Sequence, residues 1–116
     1  MSAPTGDVIE IGPEEADRLT RVGALLLDVR EDDEWAAGHA PAATHLAMAL
    51  VPEGTADLPT DRTILCLCRV GGRSGSVALH LASAGFDVRN VTGGMQAWVA
   101  CGLPVVAEGG AAGRVL

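Results

Sequence analysis

The stretch Thr63-Ile64-Leu65-Cys66-Leu67-Cys68-Arg69-Val70-Gly71-Gly72-Arg73-Ser74 decides the fold. Thr63 to Leu67 is a short apolar run that reads as a buried strand. It leads into Cys68, then two arginines and two adjacent glycines. Ser74 then opens a helical pattern over Gly75 to Ala84. Strand, tight loop and helix in that order predict an α/β domain with a mostly parallel sheet. Glycines let the backbone visit positive φ, so several N–H groups can turn towards one point, and the following helix aims its positive end there too. Arg69 and Arg73 add full charges. The stretch therefore predicts an acidic, accessible, nucleophilic thiol at Cys68 in a nest for an anion. A cysteine that merely ends a strand is the alternative, and it accounts for neither the arginines nor the Gly-Gly turn.

Working outward, the flanks repeat the alternation of strand and helix. Val8 to Ile11 is a strand candidate. Pro13, with acids in the first turn, starts a helix that runs to about Val22, with Ala16 and Leu19 inward and Gly23 closing it. Ala24 to Val29 is a continuous apolar strand suited to a central position, covered on both faces. Asp28 and Arg30 end it, either as a structural ion pair or as pocket lining at the carboxyl ends of the strands. Glu31 to Glu34 read as acids capping the next helix, which Gly38 stops. His39 is expected to order a turn. Thr44 to Leu46 is a brief strand and Ala47 to Leu50 one helical turn. Val51 to Asp61 is expected to be loop. Helix Gly75 to Ala84 buries Val77, Ala78, Leu81 and Ala82 and turns His80 to solvent. Phe86 to Val91 is the last strand, and Met95 to Cys101 a short helix carrying Trp98 into the core.

The active loop resembles that of a known family. Cys68-Arg69-Val70-Gly71-Gly72-Arg73-Ser74 is similar to the active-site loop of rhodanese domains. Leu27-Asp28-Val29-Arg30, Gly38 to Ala43, Gly93 to Trp98 and Gly102-Leu103-Pro104 match further landmarks of that family in the same order, and the resemblance spans roughly residues 7–106. It implies a rhodanese-like α/β fold, a mostly parallel central sheet flanked by helices on both faces. It implies a sulfurtransferase that moves sulfane sulfur from thiosulfate or a persulfide donor, through a Cys68 persulfide, to cyanide or a thiol. Arg69, Val70, Gly71, Gly72, Arg73 and Ser74 would bind substrate, and Asp28 and Arg30 would support the fold. A carrier or sensor module that exchanges sulfur with a protein partner is the alternative. Cysteine phosphatase or arsenate chemistry is disfavoured, since four residues rather than five separate Cys68 from Arg73.

Composition bounds the rest. A chain of 116 residues, 48% apolar, is one domain. We expect residues 1–6 to be disordered, 7–106 to form the domain and 107–116 to be a flexible Gly/Ala-rich tail. A net charge of -7 argues against nucleic acid or anionic membrane as partner. It leaves the two loop arginines as a local positive mouth in a negative field, one that slows small anions. The first residues lack the basic flank and apolar core of a signal peptide. With three cysteines a disulfide framework is not expected, and a reducing cytoplasmic setting fits. Alternate residues of a strand lie about 6.6 Å apart, at the far limit for a disulfide, so Cys66 reads as a small core residue rather than a partner of Cys68. His39, His45 and the thiols lack zinc-ligand spacing, so neither a metal nor a cofactor is expected.

Overall fold

The computed structural model describes residues 8–116, and the expected disordered stretch 1–6 lies outside the described residues. The strands are β1 (Ile9–Ile11), β2 (Leu25–Asp28), β3 (Thr44–His45), β4 (Ile64–Leu67) and β5 (Val88–Val91). They form one sheet in the order β1-β5-β4-β2-β3. Every pairing is parallel, with Leu27 opposite Cys66 and Cys66 opposite Asn90. The helices are α1 (Pro13–Arg21), α2 (Asp32–Ala37), α3 (Val51–Gly54), α4 (Gly72–Ser83) and α5 (Gly94–Ala100).

The period-two alternation of β4 builds two cores. Ile64, Cys66 and Cys68 face one side with Leu27, Val29 and Val88, and are covered by Val51 of α3 and Val77, Ala78 and Leu81 of α4. Leu65 and Leu67 face the other with Leu26 and Val91, under Ala16 of α1 and Met95 and Trp98 of α5. All four β4 residues are buried, each large side chain contributing about 1.5–3 kcal/mol. That explains a strand apolar throughout rather than alternating. Trp98 is core, its indole N–H donating to the Pro104 carbonyl at 2.9 Å.

Three stretches differ from expectation in informative ways. Residues 51–61 are not all loop: α3 forms with Pro52 in its first turn, and a 3-10 turn follows at Thr55–Asp57. Val51 anchors the segment in the core, and the Thr55 hydroxyl closes onto the Val51 carbonyl at 2.6 Å. Next, α4 starts at Gly72, not Gly75, because Gly71 at φ 109° is already its N-cap. Lastly, residues 107–116 run back along the body. The backbone N–H of Gly113 reaches Val105 O at 3.2 Å, that of Arg114 reaches Ala37 O at 2.9 Å, and Val115 packs on the α1/α5 core.

Candidate active site

At the carboxyl end of β4 the chain leaves the sheet at Cys68. Its next two carbonyls are drawn off sideways. The backbone N–H of Met95 donates to Cys68 O at 2.7 Å, and that of Gln96 to Arg69 O at 3.0 Å. This contact requires Gly94, since a Cβ there would collide with the Cys68 and Arg69 carbonyls. With the carbonyls held by the start of α5, the loop amides are free to face the sulfur. Gly71 N–H lies 3.1 Å from Cys68 Sγ, and α4 begins one residue later with its positive end towards the same atom.

A hydroxyl completes the cradle. Ser74 Oγ stands 3.3 Å from Cys68 Sγ and 2.6 Å from Asn90 Oδ1. Asn90 is 3% exposed. Its orientation is set by its amide group, which donates to Glu10 and to Gly71 O at 3.1 Å. Burial pushes the Cys68 thiol up. The Ser74 hydroxyl, followed by the backbone amides of Ser74, Gly71 and Val70, outweighs it and brings the thiol below its ordinary value. The thiol is thus acidic as expected, but not open: Cys68 is 1% exposed and stands at the bottom of the loop rather than on its lip. Cys66, deep in the same core, has its thiol pushed up to about 12 by burial and by the neighbouring Cys68.

The two arginines do not converge on the sulfur. Arg73 forks onto Glu34, Nη1 to Oε1 at 2.7 Å and Nη2 to Oε2 at 2.8 Å. Its Arg69 neighbour turns the other way, Nε donating to the Leu116 carbonyl at 2.8 Å. Glu34 also accepts the Glu31 N–H in a reciprocal capping box at the start of α2. Arg73, ahead of burial, holds Glu34 down to about 2, and Glu34 in turn raises Arg73. Sequence reasoning read Glu34 as one of four solvated capping acids and passed over Asn90. The signal for Asn90 was a polar residue two positions from Val88, on the face that Val88 turns into the core. Nothing local marked Glu34.

Asp28 and Arg30 form the ion pair that was one of their two sequence readings. Both are fully buried, Nε and Nη2 of Arg30 meeting the carboxylate at 2.8–3.1 Å. Arg30 also donates to Gly38 O at 2.7 Å, so the pair ties the end of β2 to the far end of α2. His39 orders that turn through Nδ1 on Trp35 O at 2.8 Å, and its ring stacks on Trp35. Among the described residues no group of three or more His, Cys, Asp or Glu side chains is placed to hold a metal ion. No helix among them is long and apolar enough to cross a membrane.

This arrangement of sheet, loop and cysteine has relatives. The Rhodanese-like domain family matches residues 13–101. The chain belongs to that family. The putative sulfurtransferase YtwF of Bacillus subtilis is 45% identical over 73 residues, 63% of this chain and 71% of that protein. The thiosulfate sulfurtransferase GlpE of Pseudomonas savastanoi is 35% identical over 89 residues, 76% of this chain and 84% of that one. Among solved structures, a rhodanese-related protein from Thermoplasma volcanium superposes with a TM-score of 0.81 at 27% identity, over 86% of this chain and 99% of that one. Within this rhodanese-like chain the loop Cys68 to Ser74 lies inside the matched span, as do Asp28, Glu34 and Asn90.

Proposed function

We propose that this chain is a rhodanese-type sulfurtransferase that carries sulfane sulfur as a persulfide on Cys68. The observation that carries the reading is the convergence of the Gly71 N–H and the Ser74 hydroxyl on Cys68 Sγ. The Cys68 thiolate attacks the outer sulfur of the donor. The donor's S–S bond breaks, and its electron pair leaves with sulfite if the donor is thiosulfate, or with a thiolate if it is a persulfide. Cys68 then carries the transferred sulfur. An acceptor thiol or cyanide attacks that sulfur and returns the Cys68 thiolate, a two-step covalent transfer with no external oxidant. The amides and hydroxyl that lower the thiol suit the anionic terminal sulfur for the same reason, as an oxyanion hole suits oxygen. Val70, Gly71, Gly72 and Ser74 act through this cradle. Asp28 and Arg30 support the strand end, and Arg73 orders the loop through its fork. A reducing, cytoplasmic setting suits a free thiol in this role. The four-residue spacing to Arg73 continues to weigh against phosphate chemistry.

Incubation with thiosulfate or a small persulfide should add the mass of one sulfur atom, and cyanide or dithiothreitol should remove it. Cys68→Ser should abolish the adduct. An adduct that persists in Cys68→Ser, or none on the unmodified protein with any donor, would overturn the assignment.

A further inference from the structure

Of the chain's eight arginines, five are engaged in ion pairs among the described residues, and Arg73 of the active loop is one of them. The hydrogen bonds that reach Cys68 Sγ come from the Gly71 N–H and the Ser74 hydroxyl, both uncharged groups. Glu34 takes both ends of the Arg73 fork; Glu34 is 14% exposed and Arg73 35%, so solvent reaches the pair mainly from the arginine side. Arg69 is directed to the Leu116 carbonyl. Beyond the pair, Glu31, Asp32 and Asp33 crowd the start of α2 and are exposed. The mouth that the sequence presents as doubly positive therefore has one of its two charges cancelled by Glu34 and the other turned away from the sulfur, within a body of net charge -7.

We infer that Glu34 is a specificity-determining residue: by neutralising Arg73 it selects a sulfur donor of low charge, a persulfide whose leaving group is a singly charged thiolate, over dianionic thiosulfate with its dianionic sulfite leaving group. This rests on the sulfur-transfer reading and adds the donor class. Thiosulfate brings two negative charges to a thiolate, and sulfite leaves with two. With Arg73 paired to Glu34 and Arg69 directed to the Leu116 carbonyl, that charge falls chiefly on amides and one hydroxyl. A persulfide RS–SH brings at most one negative charge. The Cys68 thiolate takes its outer sulfur, RS⁻ leaves with the electron pair of the broken S–S bond, and the product is Cys68–S–SH. Glu34 does not touch the donor; it acts through Arg73. The pair lies close enough to Cys68 for the thiolate to raise Arg73 further.

The test compares thiosulfate with the persulfide of 2-mercaptoethanol as donors, scoring both kcat/KM and the sulfur adduct on Cys68. In the unmodified protein the persulfide should be the better donor by roughly ten-fold or more. Its thiosulfate kcat/KM should also rise as salt screens the negative body. Glu34→Gln keeps the shape and one hydrogen bond of Glu34 but frees the Arg73 charge. It should raise the ratio of thiosulfate to persulfide kcat/KM by roughly ten-fold, mainly through KM. Adding Arg73→Gln to Glu34→Gln should return the ratio towards its starting value. The inference is overturned if the unmodified protein uses thiosulfate as well as the persulfide, if added salt depresses the thiosulfate rate, or if Glu34→Gln lowers both donors equally. Should Glu34→Gln fold poorly, the donor ratio and salt profile of the unmodified protein decide alone. Failure of both donors to leave sulfur on Cys68 is a separate result, and it sinks the sulfur-transfer reading itself.

Discussion

Replacing Ser74 by alanine probes the cradle at its most informative atom. The Ser74 hydroxyl carries one proton and faces three acceptors, Asn90 Oδ1 at 2.6 Å and, each at 3.3 Å, Cys68 Sγ and the Gly71 carbonyl. With Cys68 as a thiol, the proton belongs to the nearer Asn90. With Cys68 ionised, the sulfur competes for it. A hydrogen bond to a charged group contributes about 1.5–3 kcal/mol. Competition from Asn90 argues for the lower end. Ser74→Ala should therefore raise the Cys68 thiol by the free energy of that lower end. The assay is the rate of iodoacetamide reaction at Cys68 as a function of pH, read by peptide mapping. The midpoint should move up by about that amount, and Ser74→Thr should move it back, because threonine keeps the hydroxyl. The alanine variant also leaves Asn90 Oδ1 buried without its donor, at about 1–3 kcal/mol of stability. That loss appears in thermal melts, and the pH midpoint separates it from the effect on the thiol. A midpoint that stays put or falls in Ser74→Ala would refute the claim that the hydroxyl stabilises the thiolate.

Other perturbations test the frame around the cradle. Arg73→Lys keeps a charge but can meet only one Glu34 oxygen where the guanidinium meets two, so sulfur transfer should fall by about ten-fold; full activity in Arg73→Ala would remove the fork from the loop's support. Asp28→Asn leaves the Arg30 guanidinium buried without its counter-charge and should cost about 3–5 kcal/mol in denaturant melts, whereas a loss near zero would mean that the pair is not what holds the end of β2. Glu34 is held at about 2 in the fold against an ordinary 4.5, so it binds its proton less tightly folded than unfolded. Its contribution is full above about 4.5 and is lost as pH falls towards about 2. The stability difference between the unmodified protein and Glu34→Gln should shrink across that window, and a difference that grows on acidification would refute the pairing.

Much of the molecule was legible because its signals are local. The apolar runs Leu25 to Asp28 and Ile64 to Leu67 read as central strands because parallel strands covered on both faces must be apolar throughout. Gly71 read as a turn because the backbone there needs positive φ, and the register of Cys66 and Cys68 on one face follows from the two-residue period. The Asp28–Arg30 pair was one of two readings available, since the residues are close in sequence and a buried carboxylate needs a partner.

The partners of Arg73 and Ser74 were not legible, for a physical reason. Arg73 sits among fifteen acidic residues with equal chemical claim on it, and Glu34 is 39 positions away. Asn90 is 16 positions from Ser74 and 80 from Glu10. Such pairings depend on where crossovers drop α2, α4 and β5 in the order β1-β5-β4-β2-β3, which no local pattern encodes. The same holds for depth. A short loop after a strand reads as exposed, yet Cys68 is 1% exposed because α5 draws the loop carbonyls to one side and the polypeptide closes over the sulfur. The sequence by itself determined the α/β frame, the position of the thiol and its cradle of amides, since each is written in a few adjacent residues. Only the tertiary structure decided which charges are cancelled around that thiol, because charge compensation acts through space and the chain must fold before distance means anything.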